Sequence, residues 1–86
     1  KVQATIASLK LLDEQIVNAE RSARYSKNLV EAERLKFTNG ESSLFLLNSR
    51  ESKWLETELK LAEYKLKYIQ SYLYLVYLKG TRKYAI

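Results

Sequence analysis

Hydrophobic residues in the first half of the chain recur every seven positions. The main row holds Val2, Leu9, Ile16, Ala23, Val30 and Phe37, and a companion row holds Thr5, Leu12, Ala19, Ser26 and Glu33. Rows that alternate by three and four residues lie on one face of a helix, and a sustained seven-residue repeat is the seam of a coiled coil. The pattern predicts a first long helix over about residues 2–37.

The second half carries three such rows. They are Leu47, Trp54, Leu61, Tyr68 and Leu75; then Leu55, Ala62, Ile69 and Val76; and then Phe45, Leu59, Leu66 and Leu73. A single hydrophobic row is enough for the contact between two helices. Rows on several faces of one helix therefore indicate neighbouring helices on more than one side. We therefore expect a second long helix over about residues 43–79. We also expect the chain to self-associate or to belong to a larger assembly.

Strong helix breakers are scarce, because proline is absent and the only glycines are Gly40 and Gly80. They divide the chain into a helix, a turn at about 38–42, a second helix and a short tail at 80–86. So short a turn forces the helices to lie side by side. The predicted fold class is all-α: a long antiparallel two-helix coiled-coil hairpin, which packs with other hairpins into a bundle or helical barrel.

The turn has residues suited to ending one helix and starting the next. Asn39 and Gly40 tolerate the left-handed conformation common at helix C-termini. Ser42 or Ser43 can cap the second helix, and Glu41 complements its positive end. Phe37 and Leu44 flank this segment and are expected to pack across it.

The composition argues against an enzyme. The chain has no cysteine and no histidine, and its carboxylates are spread along mixed-charge helix faces. We therefore expect no catalytic residues, no metal and no cofactor.

The net charge of +5 comes from lysine and arginine alternating with acidic residues, which does not favour nucleic-acid binding. The longest apolar run, from Tyr72 to Leu78, is too short to span a bilayer, and the absence of an initiator methionine suggests a piece of a longer protein.

Five of the seven tyrosines are concentrated toward the end of the second helix: Tyr64, Tyr68, Tyr72, Tyr74 and Tyr77. The favoured interpretation is packing at an interface, with each hydroxyl group reaching water or a polar neighbour. A membrane-interface belt is an alternative, and base stacking is a weaker one.

The segment around the turn resembles a known family. The run ERLKFTNGESSLFLLNSRE, from Glu33 to Glu51, is similar to the periplasmic hairpin turn of the TolC family of outer-membrane efflux proteins. In that family an aromatic residue, two variable residues, a glycine and a Ser/Thr-Leu segment form the turn. A long helix follows and ends at a second glycine, as we expect at Gly80. The likeness covers about residues 5–81.

The resemblance implies a tunnel wall. Members of the family form trimers in which each protomer contributes two hairpins to a twelve-helix barrel across the periplasm. This chain would be one such hairpin in the periplasmic portion of a Gram-negative outer-membrane channel, attached to the membrane through regions outside it. Its partners would be other hairpins, a periplasmic membrane-fusion adaptor and an inner-membrane pump, for tripartite efflux or type I secretion.

By the same resemblance, the hairpin tip would dock on the adaptor. The implied partner-binding residues are Phe37, Asn39, Gly40, Glu41, Ser42, Ser43 and Leu44. Each also has a simpler role as a turn or cap residue. Leu46 and Ser49 stand where some members place acidic residues that narrow the entrance, so an acidic constriction is not expected.

Three other interpretations stay open. The adaptor's own hairpin is also a long periplasmic coiled coil, but its Arg-Leu pair follows the turn, whereas Arg34 and Leu35 precede it. A generic coiled-coil oligomerisation module accounts equally well for the seven-residue rows. A basic nucleic-acid binder would need a one-sided basic face and binding that weakens steeply with salt.

Overall fold

The chain forms two long antiparallel helices. The computed structural model describes residues 1–84, and the side chains of residues 1–80. Helix α1 spans Val2–Thr38 and helix α2 spans Leu44–Tyr84, packed side by side in a rod of 71 × 15 × 13 Å. The predicted all-α hairpin is confirmed. Packing with other hairpins involves further chains and stays a prediction.

The helix ends differ from the predicted ones, most clearly at Gly80. The turn occupies residues 39–43, one residue later than expected, and α2 continues through Gly80 to Tyr84. The expected helix end at Gly80 is therefore wrong. Glycine lowers helix propensity by about 1 kcal/mol, but unlike proline it keeps its N–H donor and does not clash with the preceding turn. Of the predicted tail, residues 85–86 lie outside the described residues.

The contact between the helices uses both rows of α1 and the first row of α2, as predicted. It also uses a second row of α2 that was not predicted, which consists of Thr57, Tyr64, Ser71 and Leu78. Ala19, Ala23, Ser26, Val30 and Glu33 are the buried residues of α1, and Val30 is only 1% exposed. On α2 the first row is buried or half-buried throughout, from Leu47 to Leu75. The small side chains of α1 let the second helix approach closely, which is why the best-enclosed part of the seam lies beside them.

The other two predicted rows of α2 are exposed. Combined, they form one stripe whose members are spaced alternately by four and three residues. This outer stripe consists of Leu55, Leu59, Ala62, Leu66, Ile69, Leu73 and Val76. It lies on the side of α2 away from α1, because its rows are displaced by well over a quarter turn from the seam. The hairpin therefore leaves an apolar face of α2 in water.

Candidate functional site at the hairpin tip

The backbone at the tip ends α1 with a Schellman motif. The N–H of Gly40 donates to the carbonyl of Phe37 (3.0 Å), and the N–H of Glu41 donates to the carbonyl of Lys36 (2.7 Å). These bonds satisfy carbonyls that the end of a helix would otherwise leave free. Gly40 has a φ of +75°, as predicted, whereas Asn39 has a φ of −85°. The left-handed step is therefore made by glycine alone.

The two serines of the turn have different roles. Ser43 caps α2, because its Oγ accepts a hydrogen bond from the N–H of Leu46 (3.2 Å). Ser42 instead donates its hydroxyl to the carboxylate of Glu33 on α1. The sequence predicted a cap at either position without distinguishing them, and the structure assigns it to Ser43. Glu41 lies before the first turn of α2, which itself contains no acidic residue.

Glu33 is the polar centre of the tip. Its side chain is only 8% exposed, and besides the Ser42 hydroxyl it accepts a bond from Nε of Arg50 on α2 (3.4 Å). The Ser42 hydrogen bond holds the pKa of Glu33 below its usual value. Burial opposes this effect, while Arg50 and Lys36 add to it. Glu33 is therefore stabilised as a carboxylate by groups from the turn and from α2.

A second pair joins the helices on the surface next to Glu33. Nη2 of Arg34 lies 3.2 Å from a carboxylate oxygen of Glu51, with both side chains about half exposed. Such a pair contributes little by itself, since exposed ion pairs are worth about 0–1 kcal/mol. Together with Glu33, Ser42 and Arg50 it forms the tip brace, a name used below for these five residues.

Apolar side chains cover the outside of the tip. Phe37 is 40% exposed, Leu44 57% and Phe45 79%. The predicted packing of Phe37 against Leu44 therefore does not produce a buried contact, and the tip is closed by the polar brace and the helix caps. These side chains are available to another molecule, whereas Gly40, Ser42 and Ser43 serve the turn itself. Binding of a partner by any of the predicted tip residues stays a prediction.

Sequence reasoning missed most of the tip brace. A charged residue in the buried seam row, Glu33, signals a buried partner of opposite charge, because an unpaired buried carboxylate is costly. Arg50, nearly two turns into α2, is the basic residue that pairs with it. The direction in which the Arg50 side chain points depends on the rotation of each helix about its own axis. The spacing of residues in the sequence does not specify that rotation.

A shallow polar groove runs between the helices away from the tip. It is lined by Gln15, Asn18 and Ser22 of α1 and by Lys53, Glu56 and Lys60 of α2, among others. Its two lysines have partners within the hairpin. Nζ of Lys53 lies 3.7 Å from Glu56, and Nζ of Lys60 lies 5.6 Å from the ring centre of Tyr64. The groove therefore presents no converging set of unpaired charges.

The described residues lack two other kinds of feature. They contain no group of three or more carboxylate, cysteine or histidine side chains placed to hold a metal ion. Within the same residues, neither helix has a stretch that is both long enough and apolar enough to cross a membrane.

Comparison of the chain with protein-family models, with curated proteins and with solved structures finds no match. The likeness to the TolC family therefore rests on the sequence alone, that is, on the residues of the turn between two long helices without proline.

Proposed function

We propose that this hairpin is a structural element of a larger helical assembly, with no catalytic role of its own. Following the likeness of its turn, the specific form we propose is a periplasmic tunnel wall. The helices would form the wall of an outer-membrane channel for tripartite efflux or type I secretion. The tip would dock on the membrane-fusion adaptor.

The observation that carries the proposal is the outer stripe. Its large side chains leave about half of their surface in water. Burying that surface would stabilise the protein by about 25 cal/mol for each square ångström of apolar area. A wall built from hairpins covers such a face with the next helix. An isolated hairpin has nothing to cover it.

The tip supports the docking part of the proposal. The brace and the two caps fix the turn, so that the exposed Phe37, Leu44 and Phe45 are held by an ordered backbone. An apolar surface that is ordered before binding loses less conformational entropy when a partner covers it. This arrangement suits a surface that meets another helical hairpin end to end.

The second candidate is a generic coiled-coil oligomerisation module, which the continuous outer stripe favours equally. The two proposals differ in what they require of the tip. A tunnel wall needs the tip for contact with its adaptor, whereas an oligomerisation module needs it only to reverse the chain.

Photocrosslinking in the intact protein, in cells, tests the docking surface. A photoreactive residue replaces Phe37 or Leu44 at the tip, and in a matched control it replaces Leu11 of α1, which is 56% exposed near the open end. We expect crosslinks from the tip positions to a periplasmic adaptor, and none from position 11. Crosslinks to the same adaptor from all three positions, or none from the tip, would contradict docking at the tip.

A functional measurement complements the crosslinks. Leu44→Glu places a charge on the exposed tip without touching the brace, so the fold should survive while adaptor binding and export fall. Leu11→Glu adds the same charge far from the tip and should leave export unchanged. Normal export by a folded Leu44→Glu variant would favour the oligomerisation module over the tunnel wall.

A further inference from the structure

The outer stripe has the form of a second coiled-coil seam. From Leu55 to Val76 its members alternate by four and three residues without a break, and its six large side chains are 49 to 63% exposed. At 1.5 Å per residue this seam is about 32 Å long. Uninterrupted heptad spacing on a helix indicates another helix as the matching surface.

The far side of α1 has no comparable seam. The positions of α1 that face away from α2 include Glu14, Arg21 and Asn28, which are exposed polar residues. The large exposed hydrophobic residues of α1 before the tip do not follow the alternating spacing of three and four residues: Ile6, Leu11, Val17, Tyr25 and Leu35. A second copy of the chain would therefore find its best apolar match in the same stripe of α2, and a symmetric contact of this kind closes as a dimer.

The charges beside the stripe distinguish the two directions in which such helices can pair. Glu58 and Lys65 border one side of the stripe, and Glu56 and Glu63 border the other, so acidic residues flank its first half. Glu58 accepts a hydrogen bond from Nε1 of Trp54. Glu63 forms an exposed pair with Lys67, so neither glutamate is buried by its partner. In a parallel pair, Glu58 of each copy would lie against Glu63 of the other copy, so the same repulsive contact would occur twice. Like charges at these flanking positions disfavour that arrangement.

An antiparallel pair removes this conflict in one register. With Leu66 packed against Ile69 of the second copy, Glu58 comes beside Lys79 and Lys65 beside Tyr72. A shift by one heptad from this register would bring Lys65 next to its own symmetry mate. The favourable register also sets the small Ala62 against the larger Leu73, which suits close packing.

We propose that two copies of this chain associate through their outer stripes, antiparallel and with Leu66 facing Ile69 at the centre. Because the stripe faces away from α1, the product is a row of four helices with α1 at each edge and the hairpin tips at opposite ends. In this register five half-exposed aliphatic side chains per copy meet the stripe of the second copy. With the flanking Tyr72 and Tyr77 they would bury on the order of 1,000 Å² in total, about the minimum for a specific interface.

Sedimentation of the 86-residue chain over a wide concentration range tests the contact. We expect a monomer–dimer equilibrium that Leu66→Glu weakens at least about 100-fold, because it places two charges at the apolar centre. The control Leu11→Glu changes a residue of equal exposure, 56%, on α1 and should leave the dissociation constant within about twofold of the unmodified chain. Circular dichroism checks that both variants keep their helices. A monomer at every concentration, or equal weakening by both substitutions, would overturn the proposal.

Disulfide trapping tests whether the two copies pair in antiparallel or parallel orientation. The natural chain has no cysteine, so introduced thiols are the only ones present. A mixture of Glu58→Cys and Lys79→Cys chains should oxidise to the mixed dimer in high yield. A mixture of Glu58→Cys and Glu63→Cys should do so poorly. The reverse preference would mean a parallel pair and would overturn the proposal.

This inference goes beyond the tunnel wall and does not rest on it. A tunnel wall requires every tip at one end and is tested by the tip crosslinks in the intact protein. The antiparallel pair places the tips at opposite ends and is tested on this chain alone. Both arrangements cover the same outer stripe, so they are alternatives within one assembly. The tip crosslinks and the sedimentation experiment report on them separately, so the failure of one is distinguishable from the failure of the other.

Discussion

The half of the hairpin near the tip and the half near its open end differ in how completely they bury their seam. We call residues 19–57 the tip half, and the rest of the described side chains the open half. Seven buried residues lie in the tip half: Ala19, Ala23, Ser26, Val30, Glu33, Leu47 and Thr57. Among the described side chains of the open half, only Leu75 is buried, while Leu9, Ile16, Leu61 and Tyr68 are half-buried.

The difference shows what two helices can enclose by themselves. The alanine and serine residues of α1 allow the two backbones to approach closely, so that side chains such as Val30 are completely buried between the helices. The leucine and tyrosine side chains of the open half are longer, and two helices alone leave part of each in water. The tip half also contains both described ion pairs that join the helices, Arg34–Glu51 and Arg50–Glu33. The tip half is therefore closed by its own contacts, whereas the open half bears most of the outer stripe and leaves those apolar side chains exposed. Our proposal is that another helix covers them.

Two valines of α1 give the sharpest test of this contrast. Val30→Ala should lower the free energy of unfolding by about 2–3 kcal/mol, because Val30 is 1% exposed and its methyl groups leave a cavity. Val17→Ala makes the same chemical change at a residue that is 42% exposed and should cost less than about 1 kcal/mol. Urea unfolding at one fixed, low protein concentration measures both. Equal losses would contradict the tight seam of the tip half.

The two glycines should respond to alanine with opposite signs. Gly40→Ala should destabilise the chain by roughly 1–2 kcal/mol, because its φ of +75° is unfavourable for a residue with a Cβ. Gly80→Ala should stabilise it by about 0.5–1 kcal/mol, because Gly80 lies inside a helix. An added Cβ meets nothing within 4 Å at either site, so backbone conformation alone decides the sign. Thermal unfolding of the two variants measures this, and destabilisation by Gly80→Ala would mean that the helix ends there after all.

The cap of α2 should make a smaller contribution. Ser43→Ala removes the acceptor for the N–H of Leu46 and should cost about 1 kcal/mol. Ser49→Ala is a suitable control, since Ser49 is exposed within α2 and alanine is the better helix former. Urea unfolding compares the two. A loss from Ser49→Ala as large as that from Ser43→Ala would rule out the cap as the cause.

The smallest effect concerns pH at the tip. The pKa of Glu33 is lowered, chiefly by the Ser42 hydroxyl, so the unfolded chain takes up its proton at higher pH than the folded chain. The contribution of Glu33 is therefore complete above its ordinary pKa of about 4.3 and is lost as the pH falls from there through the lowered value.

Melting temperatures of the unmodified chain and of Glu33→Gln, taken from neutral to acid pH, measure this contribution. The difference between them should shrink as the pH falls below about 4. Glu20→Gln, an exposed change on the same helix, should follow the unmodified chain throughout. A constant difference between Glu33→Gln and the unmodified chain would show that the carboxylate charge is not what stabilises the tip.

The fold was predictable because its signals are periodic. The rows of α1 and the first row of α2 identify both helices and the seam, and Gly40 marks the reversal. Local chemistry was harder to predict. Ser42 and Ser43 are equally good caps by residue type, and the difference arises because the carboxylate of Glu33 lies within reach of Ser42 only after the helices have packed.

Two other details could not be read from the sequence. The contact between Arg50 and Glu33 depends on the rotation of each helix about its axis. Helix α2 also continues through Gly80, because a single glycine weakens a helix without removing any of its hydrogen bonds. The sequence also identifies the outer stripe, but it does not specify the partner that we propose for it.

Residue-resolved hydrogen exchange at low and high protein concentration tests the central claim most directly. If the tip half closes on itself and the open half needs another helix, amides of residues 19–33 and 47–57 will be protected equally at both concentrations. Amides of residues 58–78 will gain protection as the concentration rises. Uniform protection along both helices that does not change with concentration would contradict the account.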